Sequence, residues 1–243
     1  VIVVGAGITG ITAALTAADR GAKVLVLDHN SHFGGSTMYS GGYCAAAGGE
    51  TLPKYGYETN PDELYAWFLD GDESTFRPEL SYVAAYNSGP ALDMLTKYGA
   101  EWIEGGPIGD GVGAHANAAS TGNATEEVDY FAAYVISHEQ RGLSIFEDTA
   151  ASIQEFVDKG QMVYLLNTKA TELVTNDARE VTGVRTEAGE EFSAPATILS
   201  CGGYCANEEM LSQLYARWAR SGSPSSIGNM FDAAVKIGAV LHD

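Results

Sequence analysis

Basic residues are scarce in this chain of 243 residues: 13 Lys and Arg stand against 32 Asp and Glu, a formal net charge of −19. That balance repels phosphate backbones and anionic lipid, which argues against nucleic-acid and membrane-surface partners. The excess acid is read as a solvating surface. Cysteine is sparse too. Cys44, Cys201 and Cys205 cannot all pair within one chain and match no zinc-ligand spacing, so neither a disulfide framework nor a zinc module is expected. Packing at a strand–loop junction is the reading for Cys201 and Cys205. No apolar run reaches the ~20 residues of a membrane-spanning helix. Internal repeats, low-complexity segments and an initiator methionine before Val1 are also missing. The chain is therefore expected to be a piece of a longer protein, in which any targeting sequence lies out of view. What is present, 45% hydrophobic and 10% aromatic residues, suffices for a sizeable core and argues against disorder.

The most informative stretch is Val1 to Gly10, VIVVGAGITG. β-Branched residues run straight into Gly5-x-Gly7-x-x-Gly10, and an alanine-rich helical segment, Ile11 to Arg20, follows. Such a strand–turn–helix sets a glycine turn beneath the positive end of a helix. Gly5 permits the turn, Gly7 removes a side chain where a pyrophosphate approaches, and Gly10 lets helix and strand pack closely. A second strand, Lys23 to Leu27, ends in Asp28, 18 residues beyond Gly10. Its carboxylate suits a ribose diol at the spacing of a dinucleotide βαβ unit. A glycine turn in some other α/β protein is the plainer alternative; strand, helix and acidic residue together favour the dinucleotide.

A second small-residue run follows at once: Gly34-Gly35-Ser36-Thr37, then Gly41-Gly42. A nicotinamide domain has no evident need of it. A flavin does, because its ring and ribityl chain require bare backbone alongside, and Ser36 and Thr37 suit diphosphate or ribityl hydroxyls. A flexible surface loop is the competing reading; Met38, Tyr39 and Tyr43, costly to expose together, speak against it.

With these residues in place the chain resembles the flavoprotein superfamily of soluble fumarate reductases, succinate dehydrogenase flavoprotein subunits, urocanate-type reductases and 3-ketosteroid dehydrogenases. The SGG at 40–42 leans toward the soluble-reductase and ketosteroid branches. The resemblance implies an α/β, Rossmann-like FAD-binding domain over residues 1–243, with a parallel sheet and a β-meander, cut short before a capping domain and a return segment. FAD is expected to be bound noncovalently, since Gly35 falls where membrane-complex relatives carry their flavin-linked histidine. His29 and His32 are out of register for that link, and solvent or capping roles are the reading for both, with His29 also counted among the cofactor contacts. The family pattern adds Ala170, whose main chain would meet the adenine edge. It also adds Gly202 and Gly203, at a strand end with Cys201 where threonine is usual, and Asn229, where an aspartate is usual. Asparagine keeps the acceptor oxygen and loses the charge.

In this family a hydride passes between flavin and a substrate carbon, while an arginine or tyrosine exchanges the proton. Those proton-transfer residues lie mainly beyond this chain, so no catalytic residue is assigned and the fragment alone is expected to turn over little. His115, in the glycine-rich run from Gly105 to Gly122, is the candidate substrate contact; the arginine that usually accompanies such a histidine is missing. The expected partners are a small-molecule substrate and an electron-donor protein. A flavin-binding electron-transfer module without chemistry of its own, a ketosteroid-dehydrogenase-like enzyme and, more weakly, a nicotinamide domain are the alternatives.

Among local elements, Asn60-Pro61 reads as a helix start. Helices are expected from Pro78 and again from Ala91, broken at Ser88-Gly89-Pro90. Ser144 with Glu147 reads as a capping box. Strands are expected over Gln161–Leu166, Ala170–Thr175, Glu180–Glu187, Glu190–Ser193, Ala196–Ser200 and Ala239–Leu241.

Overall fold

The computed structural model describes residues 1–70, 77–109, 130–138, 140–214 and 223–240. In chain order the strands are β1 (Ile2–Val4), β2 (Val24–Leu27), β3 (Tyr43–Ala46), β4 (Trp102–Gly109), β5 (Tyr130–Ser137), β6 (Met162–Leu165), β7 (Ala170–Thr175), β8 (Val181–Thr186), β9 (Glu191–Ser193) and β10 (Thr197–Leu199). The helices are α1 (Ile8–Asp19), α2 (Pro61–Leu69), α3 (Pro78–Lys97), α4 (Ser144–Asp158), α5 (Glu208–Leu214) and α6 (Phe231–Lys236). They form two compact units, residues 1–40 with 150–243, and residues 41–149. No described helix is long and apolar enough to cross a membrane.

In the first unit a parallel sheet runs in the order β10-β1-β2-β6. Ile2 pairs with Thr197 on one side and with Leu25 on the other. Alternation along each strand assigns the two faces. Ile2, Val4, Leu25 and Leu27 join Ala170, Val184, Met230 and Ala233 in one core, with Leu173 and Phe192 of the meander packed on it. Val3, Val24 and Val26, also buried, take the opposite face, where α1 packs on β1, β2 and β10. Helix α1 buries Gly10, Ile11, Ala14, Leu15 and Ala18, a stripe at helical spacing. The antiparallel meander β7-β8-β9 stands as expected, each strand within a residue or two of its anticipated bounds.

The second unit has an antiparallel sheet, β3-β5-β4, that periodicity did not reveal. It also differs from expectation at three points. Helix α3 is continuous through Pro90. Proline cannot donate to the carbonyl one turn back, but packing overrides this: a Cβ on Gly89 would press on the Gly48 backbone. Asp93, further along α3, accepts from Glu50 N and Thr51 N at 2.8 Å, tying the same loop to the helix. Gly105 to Gly109 belong to strand β4, not to a loop. Ser144 does not form a capping box; its Oγ accepts from Gln140 N and donates to the His138 carbonyl, looking backward along the chain. The Asn60 cap stands, its Oδ1 accepting from Asp62 N at 2.9 Å. In the first unit, Ala239 and Val240 form no strand; Val240 is 89% exposed.

Candidate functional site

A cleft of about 620 Å³, counting its open mouth, lies at the carboxyl end of the parallel sheet within the first unit. This is where open α/β sheets place their ligands. Its wall includes Gly5, Gly7, Asp28, His29, Gly35, Ser36, Thr37, Ala170, Gly202 and Asn229, so most of the residues chosen from sequence converge.

The three glycines of the first turn have separate reasons. Gly5 has φ +106°, which only glycine adopts without strain, and a Cβ there would strike the Ser200 backbone. Gly10 is buried in the first turn of α1, where a Cβ would overlap the Gly5 carbonyl oxygen. Gly7 is different: its Cβ would meet nothing nearer than Gly34 O at 3.8 Å. No protein atom demands glycine there, so the free space belongs to the cleft.

The second glycine turn lies on the first. Gly34 N donates to Ala6 O at 3.0 Å, and a Cβ on Gly35 would be 3.3 Å from Gly7 Cα. Thr37 Oγ1 accepts from Ile8 N at 3.3 Å, at the start of α1. Ser36 Oγ meets Ser226 Oγ at 3.0 Å, across 190 residues of sequence. Helix α1 itself has no side-chain cap and no acidic residue in its first turn. Gly7, Ile8 and Thr9 line the cleft, so the positive end of α1 borders it, with the Ile8 N–H already taken by Thr37 and the Asp28 carboxylate on the same wall. None of the described lining residues is Lys or Arg.

Asp28 is buried, yet its carboxylate is largely engaged by the chain. Oδ2 accepts from Ala6 N at 2.6 Å; Oδ1 accepts from Asn30 N at 2.8 Å and Asn30 Nδ2 at 2.9 Å. Of the roughly four acceptor positions on a carboxylate, about one is left for a ligand. His29 Nδ1 stands 3.7 Å from Oδ1. Asn229 Nδ2 donates to Ala170 O at 3.0 Å, which fixes the amide and takes the Ala170 carbonyl. Asn229 Oδ1 is buried and has no hydrogen-bond partner among the described residues. A buried acceptor left this way costs on the order of 1–3 kcal/mol, and a ligand hydroxyl or amine would relieve it.

Not every chosen residue lines the cleft. Gly203 is exposed and uses its carbonyl to accept Gly228 N at 3.0 Å. Gly41 and Gly42 belong to the second unit: a Cβ on Gly41 would lie 2.8 Å from the exposed Tyr43 ring, and Gly42, at φ +75°, would bring one 2.7 Å from the Arg141 backbone. Tyr39 and Tyr43 are 61% and 48% exposed, so the argument from their burial does not hold. His115 lies outside the described residues.

The cleft also holds Asn30, Ser200, Ser225 and Ser226, which sequence reasoning did not select. Asn30 carried a local signal, an amide two residues after an acid. Ser225 and Ser226 carried none, because they arrive through long-range folding.

A family model described as an FAD binding domain matches residues 1–243. The chain is 26% identical over 252 residues to the fumarate reductase (cytochrome) of Shewanella frigidimarina, covering 100% of this chain and 40% of that protein. It is 28% identical over 256 residues to urocanate reductase of Eggerthella lenta, covering 100% and 38%. A solved structure, the open conformation of a flavocytochrome c3 fumarate reductase, superposes with a TM-score of 0.78 at 24% identity over 98% of this chain and 40% of that one. The chain thus spans about two fifths of the length of these relatives. With its whole length matched and a dinucleotide-type cleft at the sheet's carboxyl end, the chain belongs to the family of FAD binding domains, and its cofactor is FAD.

Proposed function

We propose that the protein is the flavin-holding part of an oxidoreductase that moves hydride between FAD and an activated C–C bond of a small substrate. The relatives named above are reductases, and the cleft residues fit the adenosine diphosphate half of FAD. When bound, FAD supplies reversible two-electron chemistry; the protein supplies position and electrostatics. Gly7 leaves backbone bare for the diphosphate, which the start of α1 stabilises through its N–H groups and dipole. Ser36 and Thr37 offer hydroxyls beside it. The remaining acceptor position of Asp28 would take a ribose hydroxyl. Asn229 Oδ1 would accept from a donor on the cofactor, and this unpartnered buried oxygen is the observation that carries the reading. With Gly35 where a linking histidine would stand, the cofactor is held noncovalently.

The intact protein, purified and desalted, is expected to show flavin absorption and to release all of it on acid precipitation. Under anaerobic conditions its reduced flavin should be reoxidised by fumarate, urocanate or a 3-ketosteroid. A protein that stays colourless after incubation with excess FAD contradicts the assignment. Flavin retained in the acid pellet contradicts noncovalent binding. Flavin that none of the three acceptors reoxidises favours an electron-transfer module instead.

A further inference from the structure

We propose that Asn30 is a specificity-determining residue: it closes one oxygen of the Asp28 carboxylate, so that the cleft grips a single hydroxyl of the adenosine ribose and not the diol. The proposal rests on the reading of this cleft as the FAD site and deepens it, from the cofactor as a whole to one hydroxyl of its ribose.

A carboxylate offers about two acceptor positions on each oxygen, and the two oxygens of Asp28 are used unequally. Among the described residues, Oδ1 accepts twice, from Asn30 N at 2.8 Å and from Asn30 Nδ2 at 2.9 Å. Oδ2 accepts once, from Ala6 N at 2.6 Å. Both bonds to Oδ1 thus come from one residue. A ribose diol held across the carboxylate needs a position on each oxygen, and Oδ1 has none to give. His29 stands on that side too, its Nδ1 3.7 Å from Oδ1, beyond hydrogen-bond length. What remains is the second position of Oδ2, the oxygen tied to the turn between Gly5 and Gly7.

The turn that carries Asn30 is held at both ends. Asn30 O accepts from Asn167 N at 2.8 Å, Asp28 O accepts from Thr168 N at 2.8 Å, and Asp28 N donates to Leu165 O at 3.1 Å. Residues 28–30 are thereby pinned to the end of β6 and the stretch after it. The Asp28 side chain is only 4% exposed. Turning its carboxylate to present Oδ1 would strand the N–H of Ala6, a fully buried residue, and an orphaned buried donor is costly. Asn30 lines the cleft with Asp28, Thr168 and Ala170. Every described residue of that lining belongs to the first unit, so ADP, the half of the cofactor that carries this ribose, serves as the probe.

The test is calorimetric titration of the full-length apoprotein with ADP, 2′-deoxy-ADP and 3′-deoxy-ADP. In wild type one deoxy analogue should bind at least about tenfold more weakly than ADP, the scale of a lost hydrogen bond to a charged group, and the other within about twofold of ADP. Asn30→Ala opens a position on Oδ1, and in that variant both analogues should bind at least about fivefold more weakly than ADP. A merely structural residue would not change this pattern, because a loosened cleft weakens all three nucleotides alike. The wild-type comparison stands by itself if the variant does not fold. Comparable losses for both analogues in wild type, or a loss for neither, would overturn the proposal. So would a folded Asn30→Ala protein that keeps the wild-type pattern or loses all three nucleotides alike, and so would FAD uptake by wild type with no binding of ADP. In each of these cases the cofactor reading stands so long as FAD binds. Wild type that takes up neither FAD nor ADP would overturn that reading itself, and the proposal with it.

Discussion

Gly5, Gly7 and Gly10 are a single letter in a motif, but only two of them answer to the protein's own packing. Gly5 and Gly10 are required by Ser200 and by the Gly5 carbonyl; Gly7 faces open space. The motif was legible because its constraints are local, a strand, a turn and a helix within ten residues or so. Asp28 was legible as an acid at the right distance, but its engagement was not. Sequence spacing says nothing of the Ala6 N–H and the Asn30 amide that occupy most of its acceptor capacity. Asp28→Ala is accordingly expected to do two things. It should weaken FAD binding, and it should lower the stability of the apoprotein by about 1–3 kcal/mol, because Ala6 N–H loses its buried partner. Denaturant unfolding of apoprotein measures the second effect; an unchanged midpoint would show that the carboxylate serves the cofactor alone.

At the level of elements, the parallel sheet and meander were readable because their strands carry strong β-branched patterns and clear turns. The β3-β5-β4 sheet was not. Strands β3 and β4 are rich in alanine and glycine, residues of low strand propensity that long-range pairing places, whereas β5, YFAAYVIS, carries a legible strand composition that sequence reasoning missed. Helix α3 failed at Pro90 for the converse reason: a strong local breaker lost to tertiary packing. Pro90→Ala should therefore raise the melting temperature, worth on the order of 1–3 kcal/mol. A lower melting temperature would mean the proline ring itself is needed. Strand β3 contributes a pH effect. Burial pushes the Cys44 thiol up to about 11 from an ordinary 9.0. The unfolded chain loses this proton first, so between about pH 9 and about pH 11 it binds fewer protons than the folded state, and stability falls as pH rises. Below both values there is no effect. The stability gap between wild type and Cys44→Ala should shrink by about 2 kcal/mol across that window; a constant gap would contradict the buried, neutral thiol.

For the whole molecule, a net charge of −19 surrounds a cleft with no Lys or Arg among its described lining residues. The diphosphate is proposed to be held by N–H groups, hydroxyls and a helix dipole against a long-range field of the wrong sign. Salt screens that field over roughly 10 Å at about 0.1 M but leaves short contacts intact. FAD affinity should consequently rise with ionic strength, severalfold between about 0.02 M and about 0.5 M, as titration of flavin fluorescence would show. A fall with salt would point to a cationic contact elsewhere. Two units within one family match were not legible either: one boundary falls between Ser40 and Gly41, inside a run read as a single glycine loop, and the other inside α4, where no change of composition marks it.

The central claim is that the space in front of Gly7 is the diphosphate site of FAD. It is tested most directly by comparing wild type with Gly7→Val in the full-length protein, by flavin absorbance after gel filtration and by circular dichroism. Gly7 has φ −76°, compatible with a side chain, and beyond its chain neighbours no described atom lies nearer the added Cβ than Gly34 O at 3.8 Å. The variant should keep the wild-type dichroism spectrum and elute colourless while wild type elutes yellow. A folded Gly7→Val protein that retains stoichiometric flavin would contradict the account.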